Sequence, residues 1–208
     1  MNKLLYLESS PRKDRSASTV VAQKFITAFR STDDTNVVET LDLWDFQLPE
    51  FNGDRIDAKY KVLHGENPTT EEAAAWDEIS KVVDRFKDTD SYLFSVPMWN
   101  FSIPYKLKHF IDVITQPGLT FSFSPETGYQ GLVTGKPCTV IYARGGEYST
   151  AETRAMDFQK TYMELYLGFI GFQNIQSILI EPTLSDPETN ERIISTAKDE
   201  AIVFAKQL

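Results

Sequence analysis

Short apolar segments alternate along this chain with longer segments that have the periodicity or the start signals of helices. Five of the short segments have the length and composition of buried strands: residues 3–8, 36–41, 91–96, 137–143 and 175–180. Helices are predicted between them over residues 16–30, 69–87, 103–115, 151–169 and 187–206. Thr69 and Glu72 form a capping-box sequence at the start of one helix, and Pro187 follows a capping Asp186 at the start of the last.

Strands that alternate with helices predict an α/β fold, in which helices cover both faces of a parallel sheet. Five strands favour the doubly wound order 2-1-3-4-5, with a ligand site outside the carboxyl ends of the strands. The length of 208 residues predicts a single domain over residues 1–208. Two segments depart from the alternation. Residues 119–130 alternate aromatic with small polar residues and predict a hairpin, whereas residues 45–68 are expected to be irregular with a short helix at 58–63.

Composition and charge argue against several classes of function. The formal net charge of −9 disfavours a nucleic-acid partner, because phosphate binding needs clustered Lys and Arg and only residues 11–15 are locally basic. No segment approaches the roughly 20 apolar residues that cross a bilayer, so no membrane association is expected. His64 and His109 lie far apart without ligand spacing around them, so no metal site is predicted. The single cysteine, Cys138, and an amino terminus without a secretory signal favour the cytoplasm.

The loop after the first predicted strand is rich in serine. Ser9-Ser10 and then Ser16-Ala17-Ser18 precede a helix, where free backbone amides and short hydroxyl donors suit a phosphate monoester. The loop lacks both Gly-x-Gly-x-x-Gly and the Gly-Lys-Ser/Thr of a Walker loop. A mononucleotide held by hydroxyls therefore fits better than ATP or NAD, and an ordinary serine helix cap is the alternative.

The loops after the third and fourth strands carry the remaining chemistry, and all three loops are expected to converge at one sheet edge. Residues 97–101 read Pro-Met-Trp-Asn-Phe and offer aromatic surface beside backbone amides, which suits a planar heteroaromatic cofactor such as flavin. Residues 144–146 read Arg-Gly-Gly, and the glycines let the backbone approach a ligand carbonyl or a developing anion. In each case a tight turn without a ligand is the alternative.

These loops belong to a set of motifs that spans the chain: Leu-Glu-Ser-Ser-Pro-Arg, Ser-Ala-Ser, Pro-Met-Trp-Asn-Phe-Ser-Ile-Pro, Gly-Leu-Thr-Phe, Gly-Leu-Val-Thr-Gly-Lys, Ala-Arg-Gly-Gly and Leu-Gly-Phe-Ile-Gly. Through them the chain resembles the FMN-dependent NADH azoreductases and NADH:quinone oxidoreductases, which have a flavodoxin-like fold. The resemblance covers essentially the whole length. It departs at Trp99, where many relatives carry Tyr, at Ala143, where a serine is common, and at Ala17, where a polar residue is common.

The resemblance implies that the serine loop holds the FMN phosphate, that residues 98–101 flank the isoalloxazine and that residues 143–146 close over its pyrimidine edge. The cofactor-binding residues would be Ser10, Ser16, Ala17, Ser18, Pro97, Met98, Trp99, Asn100, Phe101, Ala143, Arg144, Gly145 and Gly146. The family usually works as a homodimer with FMN at the interface. Asn100, Phe123 and Phe169 are therefore candidates for the substrate wall, and packing in the core is the alternative for the two phenylalanines.

The activity implied by the resemblance is flavin-centred. Tightly but non-covalently bound FMN would take a hydride from NADH or NADPH and pass two electrons to quinones, or to aromatic azo compounds. Ping-pong kinetics follow if one flavin face serves both substrates in turn. No side-chain acid or base is evident, so protons are expected from water. The alternatives are an electron carrier like flavodoxin and a flavin-free interaction protein of the same fold.

Two further residue pairs suggest other chemistry. Cys138 and Arg144 have the spacing of a phosphatase signature, but the residues between them have the composition of a buried strand and include no glycine. His109 and Asp112 could belong to a catalytic triad, yet the chain has no Gly-x-Ser-x-Gly nucleophile elbow. We expect helix-surface or interface roles for His109 and Asp112.

Overall fold

The computed structural model describes all 208 residues, apart from the side chains of residues 62 and 63. The strands are β1 (Lys3–Glu8), β2 (Val37–Asp42), β3 (Ser91–Pro97), β4 (Phe121–Ser124), β5 (Gly128–Gly131), β6 (Cys138–Ala143) and β7 (Ile175–Ile180). Five of them form a parallel sheet in the order β2-β1-β3-β6-β7. The predicted order 2-1-3-4-5 is confirmed, since β4 and β5 pair only with each other as an antiparallel hairpin.

Helices cover both faces of the sheet. They are α1 (Ala17–Thr32), α2 (Gly53–His64), α3 (Thr70–Lys87), α4 (Tyr105–Ile114), α5 (Ala151–Arg154), α6 (Lys160–Ile170) and α7 (Pro187–Ala205). Alternate residues of β1 point to opposite faces, so Leu4 and Tyr6 pack into the core beneath α1 and α7, whereas Leu5 and Leu7 pack beneath α3, α4 and α6. Every strand residue from Leu4 to Glu8 is buried, as expected for a sheet covered on both sides.

Local capping signals place two helix starts where the sequence predicts them. Thr69 Oγ1 accepts a hydrogen bond from the Glu72 amide at 3.3 Å, and Glu72 Oε2 accepts one from the Thr69 amide at 2.7 Å. Asp186 Oδ1 accepts from the Thr189 amide at 3.0 Å, directly before Pro187 begins α7. Both predicted boundaries are therefore confirmed.

Two predicted elements are wrong in extent. The single helix predicted over residues 151–169 is divided into α5 and α6, because Asp157 Oδ1 accepts hydrogen bonds from the Gln159 and Lys160 amides at 3.1 and 2.9 Å and starts a new helix. The short helix predicted at residues 58–63 is the longer α2. Ion pairs from Arg55 to Glu78 at 2.6 Å and from Lys61 to Glu72 at 2.7 Å join α2 to α3.

Candidate functional site

A cavity of about 430 Å³ lies at the carboxyl edge of the sheet, where the loops after β1, β3 and β6 meet. β1 and β3 are the strands at which the strand order reverses, which is the usual ligand position in doubly wound sheets. The structure therefore brings together residues from all three loops that the sequence singled out. The predicted residues that line this cavity are Ser10, Ser16, Ala17, Pro97, Met98, Trp99, Ala143, Arg144 and Gly145.

The other predicted cofactor residues lie beside the cavity rather than in its wall. Ser18 is buried behind the serine loop, with its Oγ 3.2 Å from the Oγ of Ser16. Asn100 faces a second cavity, and Phe101 is half exposed. Gly146 follows the lining residue Gly145. Their contact with a cofactor stays a prediction.

Hydrogen-bond donors and positive charge meet at the serine end of the cavity. Ser16 precedes α1 with an extended backbone, and its side chain makes no capping hydrogen bond to the helix. The first amides of a helix have no partner within it, so they and the Ser16 hydroxyl suit an anion. The exposed side chains of Arg12, Asp14 and Arg15 line the same end, where the two cations outnumber the one carboxylate. Lys13 is directed elsewhere, because its ammonium pairs with Glu8 and Asp42.

A tight turn after β3 positions Trp99. The Trp99 amide donates to the Ser102 carbonyl at 2.8 Å, and the Ser102 amide donates back to Trp99 at 3.0 Å. Asn100 and Phe101, between them, have φ values of +48° and +69°. Asn tolerates this left-handed conformation, whereas for Phe it costs about 1–2 kcal/mol. Strain of this kind clusters at functional sites.

The strain at Phe101 can be measured by comparing two truncations. We expect the free energy of unfolding to be about 1 kcal/mol higher for Phe101→Gly than for Phe101→Ala, because glycine adopts positive φ without steric cost. Urea denaturation of both variants measures the difference. The same pair of substitutions at the exposed Leu165, in the interior of α6, is the control, and there Ala should be the more stable residue by a similar amount. Equal stability of the two Phe101 variants would contradict a strained turn.

A second cavity of about 650 Å³ adjoins the first, and Trp99 lines both. Its other lining residues are Asn100, Ser102, Ile103, Tyr105, Lys108, Phe158 and Tyr162. Of these residues, Asn100 is predicted from the sequence, whereas the aromatic side chains on α4, on α6 and at Phe158 are not. Such walls suit a flat aromatic molecule.

The two predicted substrate-wall phenylalanines line neither cavity. Phe123 is on β4, is 59% exposed and lies with its ring centroid 4.9 Å from that of Tyr129. Phe169 packs against Phe121, with a centroid distance of 5.1 Å. Within one chain they form an aromatic cluster on the hairpin side of the molecule. Any contact with substrate would require a second copy and stays a prediction.

The loop after β7 and the start of α7 complete the first cavity, and neither is predicted from the sequence to belong to the site. Thr183, Leu184, Asn190 and Ile194 line this side. The Oδ1 atom of Asn190 is buried and has no hydrogen-bond partner among the described residues. The Leu184 side chain is 86% exposed, and its Cδ1 would lie 2.8 Å from a Cβ atom at Gly145. An unpartnered acceptor and an uncovered apolar side chain both fit FMN, which offers ribityl hydroxyl donors and a flat apolar ring.

The buried Arg144 side chain supports the first cavity structurally, through a cluster of ion pairs. Its Nη1 pairs with Asp157, and its Nε lies 2.8 Å from Glu181 Oε2. The backbone carbonyls of Arg144 and Gly145 accept hydrogen bonds from the Thr183 and Leu184 amides at 2.9 and 3.1 Å. The guanidinium is thus committed to protein carboxylates, and the residue holds the loops after β6 and β7 together.

The phosphatase alternative has no support in the structure. Cys138 begins β6 and Arg144 directly follows its end, so an extended strand separates them where a cradling loop would be needed. Complete burial raises the pKa of the Cys138 thiol above its ordinary value. The His109 Nε2 atom lies 2.9 Å from the Pro49 carbonyl, and Asp112 pairs with Lys108. These contacts agree with the helix-surface roles expected for both residues.

We expect the Cys138 thiol to be unreactive in the folded protein. A thiol reagent added at pH 8 should modify the urea-unfolded chain quickly and the native chain only at the rate of unfolding. Because the folded state keeps the thiol protonated, its contribution to stability should be lost as the pH rises above about 8.5, where the unfolded thiol ionises. Cys138→Ala should weaken this pH dependence. Rapid modification of the native protein would contradict the burial.

None of the described helices is long and apolar enough to cross a membrane. Among the described residues, no group of three or more His, Cys, Asp and Glu side chains is arranged to hold a metal ion.

The sheet order and the cavity at the reversal of strand order define a flavodoxin-like α/β protein. The sequence profile of the family described as "Flavodoxin-like fold" matches residues 2–203. An FMN-dependent NADH:quinone oxidoreductase of Desulfotalea psychrophila is 66% identical over 208 residues, which cover 100% of this chain and 98% of the relative. One from Nitratidesulfovibrio vulgaris is 44% identical over 203 residues, with 97% of each chain covered. This chain belongs to the flavodoxin-like fold family.

Solved structures agree with this placement. An azoreductase from Bacillus anthracis superimposes with a TM-score of 0.91 at 30% identity, and all of both chains is covered. An FMN-dependent NADH-azoreductase from the same species, solved in complex with FMN, has a TM-score of 0.87 at 27% identity, covering 100% of this chain and 99% of the other.

Proposed function

We propose that this protein is an FMN-dependent oxidoreductase that uses NADH to reduce quinones, and that it also reduces aromatic azo compounds. The observation that carries the proposal is the cavity in which a serine-bordered helix start, Trp99 and Gly145 meet. The 66% identity to a relative named FMN-dependent NADH:quinone oxidoreductase supports the same activity. The similarity to an azoreductase solved with FMN supports the cofactor and the azo substrates.

In this proposal each part of the first cavity has one task. Ser10, Ser16 and the amides that begin α1 bind the phosphate, with the cations of Arg12 and Arg15 at the same end. Asn190 Oδ1 accepts from a ribityl hydroxyl, and the backbone of residues 143–146 faces the pyrimidine edge. Of the remaining predicted residues, Ala17, Pro97 and Met98 form the walls, whereas Ser18, Asn100 and Phe101 lie beside the cavity and support them. Bound FMN supplies the hydride and two-electron chemistry, and the protein binds and orients the reactants.

The second cavity is the proposed place for the aromatic substrate. Trp99, Tyr105, Phe158 and Tyr162 provide flat apolar walls, and the side chain of Asn100 offers polar contacts. The cavity is large enough for a two- or three-ring quinone. Because the two cavities share Trp99, a substrate in the second would lie near the cofactor in the first.

The proposal is tested by spectra and steady-state kinetics. The purified protein, or the apoprotein mixed with FMN, should show bound-flavin absorption that NADH bleaches without a partner reductase. Assays with naphthoquinones and azo dyes, using NADH and NADPH in turn, should give parallel double-reciprocal lines. Intersecting lines would reject a shared flavin face. Bleaching only with an added reductase would instead favour an electron carrier, and a colourless protein that FMN cannot reconstitute would favour a flavin-free interaction protein.

The phosphate contact can be tested separately. We expect Ser16→Ala to raise the Kd for FMN at least tenfold, because a hydrogen bond to a charged group is worth about 1.5–3 kcal/mol. Ser31→Ala is the matched control, since Ser31 is at the other end of α1 and its hydroxyl donates to the Ala28 carbonyl. Quenching of FMN fluorescence on binding to the apoprotein measures both constants. An equal Kd for the two variants would remove Ser16 from the binding site.

We further propose that the working form is a cytoplasmic homodimer built from this single domain. Large apolar side chains are exposed around the second cavity and the hairpin, including Tyr105 at 62%, Phe158 at 60%, Leu165 at 72% and Tyr129 at 63%. Patches of this kind mark protein contacts, and a second copy would bring Phe123 or Phe169 towards a substrate. The net charge of −9 argues against a nucleic-acid or membrane partner, because both surfaces are negatively charged. Light scattering on the purified protein measures the oligomeric state, and a monomer would reject the dimer.

A further inference from the structure

Trp44 lies in the segment after β2. It lines neither cavity, but it contacts residues that line each of them. Its indole Nε1 donates a hydrogen bond to the Ser9 carbonyl at 3.0 Å. Its ring lies with its centroid 5.8 Å from that of Trp99, at an interplanar angle of 51°. It also meets Tyr105 edge-on, at 5.4 Å and 82°. One half-buried side chain thus contacts the serine loop, the wall shared by both cavities and the wall of the second cavity.

Both ends of this link are anchored. Ser9 is buried, and its Oγ donates to the Ser95 carbonyl of β3. Next to Trp44, the Leu43 amide donates to the Glu8 carbonyl at 3.0 Å, which continues the pairing of β1 and β2. The Trp44 amide donates to Asp42 Oδ1 at 3.0 Å. The indole therefore extends from a fixed backbone and can fix the orientation of its neighbours.

We propose that Trp44 is a positioning residue that holds the plane of Trp99 and couples it to the serine loop. The proposal rests on the proposed function, because it assigns the first cavity to FMN and the second to the quinone. Trp99 begins the strained turn that continues through residues 100 and 101, and the turn fixes its backbone but not its ring. The tilted ring contact with Trp44, at a centroid distance of 5.8 Å, supplies the constraint on the ring. The hydrogen bond from Trp44 Nε1 to the Ser9 carbonyl couples the position of this ring to the serine loop.

Two substitutions separate the two contacts of Trp44. Trp44→Phe removes the hydrogen bond and keeps an aromatic ring, so the Kd for FMN should rise about fivefold while the quinone KM changes little. Trp44→Leu also removes the ring, so the quinone KM should rise a further fivefold or so, with a smaller change in kcat. The matched controls are Trp76→Phe and Trp76→Leu, because Trp76 is on α3 and lines neither cavity.

A spectroscopic measurement on the apoprotein tests the Trp pair without any turnover. Two indoles at 5.8 Å give an exciton signal in the far-ultraviolet circular dichroism spectrum. Both Trp44 variants should lose this signal, and both Trp76 variants should keep it.

The proposal is overturned if the Trp44 variants match the Trp76 variants in FMN Kd and quinone KM, or if the wild-type apoprotein shows no exciton signal for Trp44 and Trp99. It is equally overturned if Trp44→Leu lowers only the thermal stability and leaves the quinone KM unchanged, since that is a purely structural effect. Failure of the proposed function is a different result, in which the wild-type protein neither binds FMN nor reduces a quinone.

Discussion

Replacing Arg144 by Met is expected to lower the free energy of unfolding by about 3–5 kcal/mol. The Arg144 side chain is 2% exposed, and it lies between Asp157 at 10% and Glu181 at 15%. Methionine fills much of the same volume but leaves two nearly buried carboxylates without a counter-charge. Desolvation of an unpaired ion is far more costly than the loss of an exposed salt bridge. The midpoint of urea denaturation measures the effect.

Arg85→Met is the matched control for this prediction. Arg85 also pairs with a carboxylate, that of Glu39, but its side chain is 40% exposed, so the substitution should cost no more than about 1 kcal/mol. Changing Glu181 to Gln in the Arg144→Met background should recover part of the loss, because one unpaired charge is removed. If Arg144→Met destabilises no more than Arg85→Met, the cluster is not an essential support of the site.

The ion cluster of Arg144, Asp157 and Glu181 illustrates why some helix boundaries can be predicted from the sequence and others cannot. The helix starts at Thr69 and Asp186 depend on side chains within three residues of the capped amides, so the sequence predicts them directly. The break between α5 and α6 depends on Asp157, whose second carboxylate oxygen is held by Arg144, 13 residues away in the chain. No local pattern distinguishes this Asp from an exposed helix residue. The extent of α2 depends likewise on ion pairs with α3.

The residues of the candidate site likewise divide into those that the sequence predicts and those that it does not. The segments around Ser16, Trp99 and Gly145 are recognisable because each carries its chemistry within a few consecutive residues. Leu184 and Asn190 were missed, since one is an ordinary apolar residue and the other an ordinary helix residue. A topological signal was available, because the loop after β7 is at the same carboxyl edge as the other three. The same rule places the segment after β2, with Trp44, at this edge.

Gly131→Ala is expected to lower the free energy of unfolding by about 3 kcal/mol, through an overlap between backbone segments. A Cβ atom at Gly131 would lie 2.3 Å from the Gly171 amide nitrogen and 2.4 Å from the carbonyl carbon of Ile170. Neither is the end of a flexible side chain, so the hairpin must move away from the end of α6. That movement works against the hydrogen bond from the Val133 amide to the Ile170 carbonyl, which is 2.8 Å long.

Gly168→Ala, on α6, is the control. It separates this overlap from a general preference for glycine near the hairpin. A Cβ atom at Gly168 would meet nothing within 4 Å, so Ala should raise the free energy of unfolding by about 1 kcal/mol through its higher helix propensity. Opposite signs for the two substitutions, measured by urea denaturation, are the expected result. A neutral Gly131→Ala would show that the hairpin can shift without cost. The aromatic cluster of Phe123 and Phe169 would then not be held rigidly enough to form a defined substrate wall, even in a dimer.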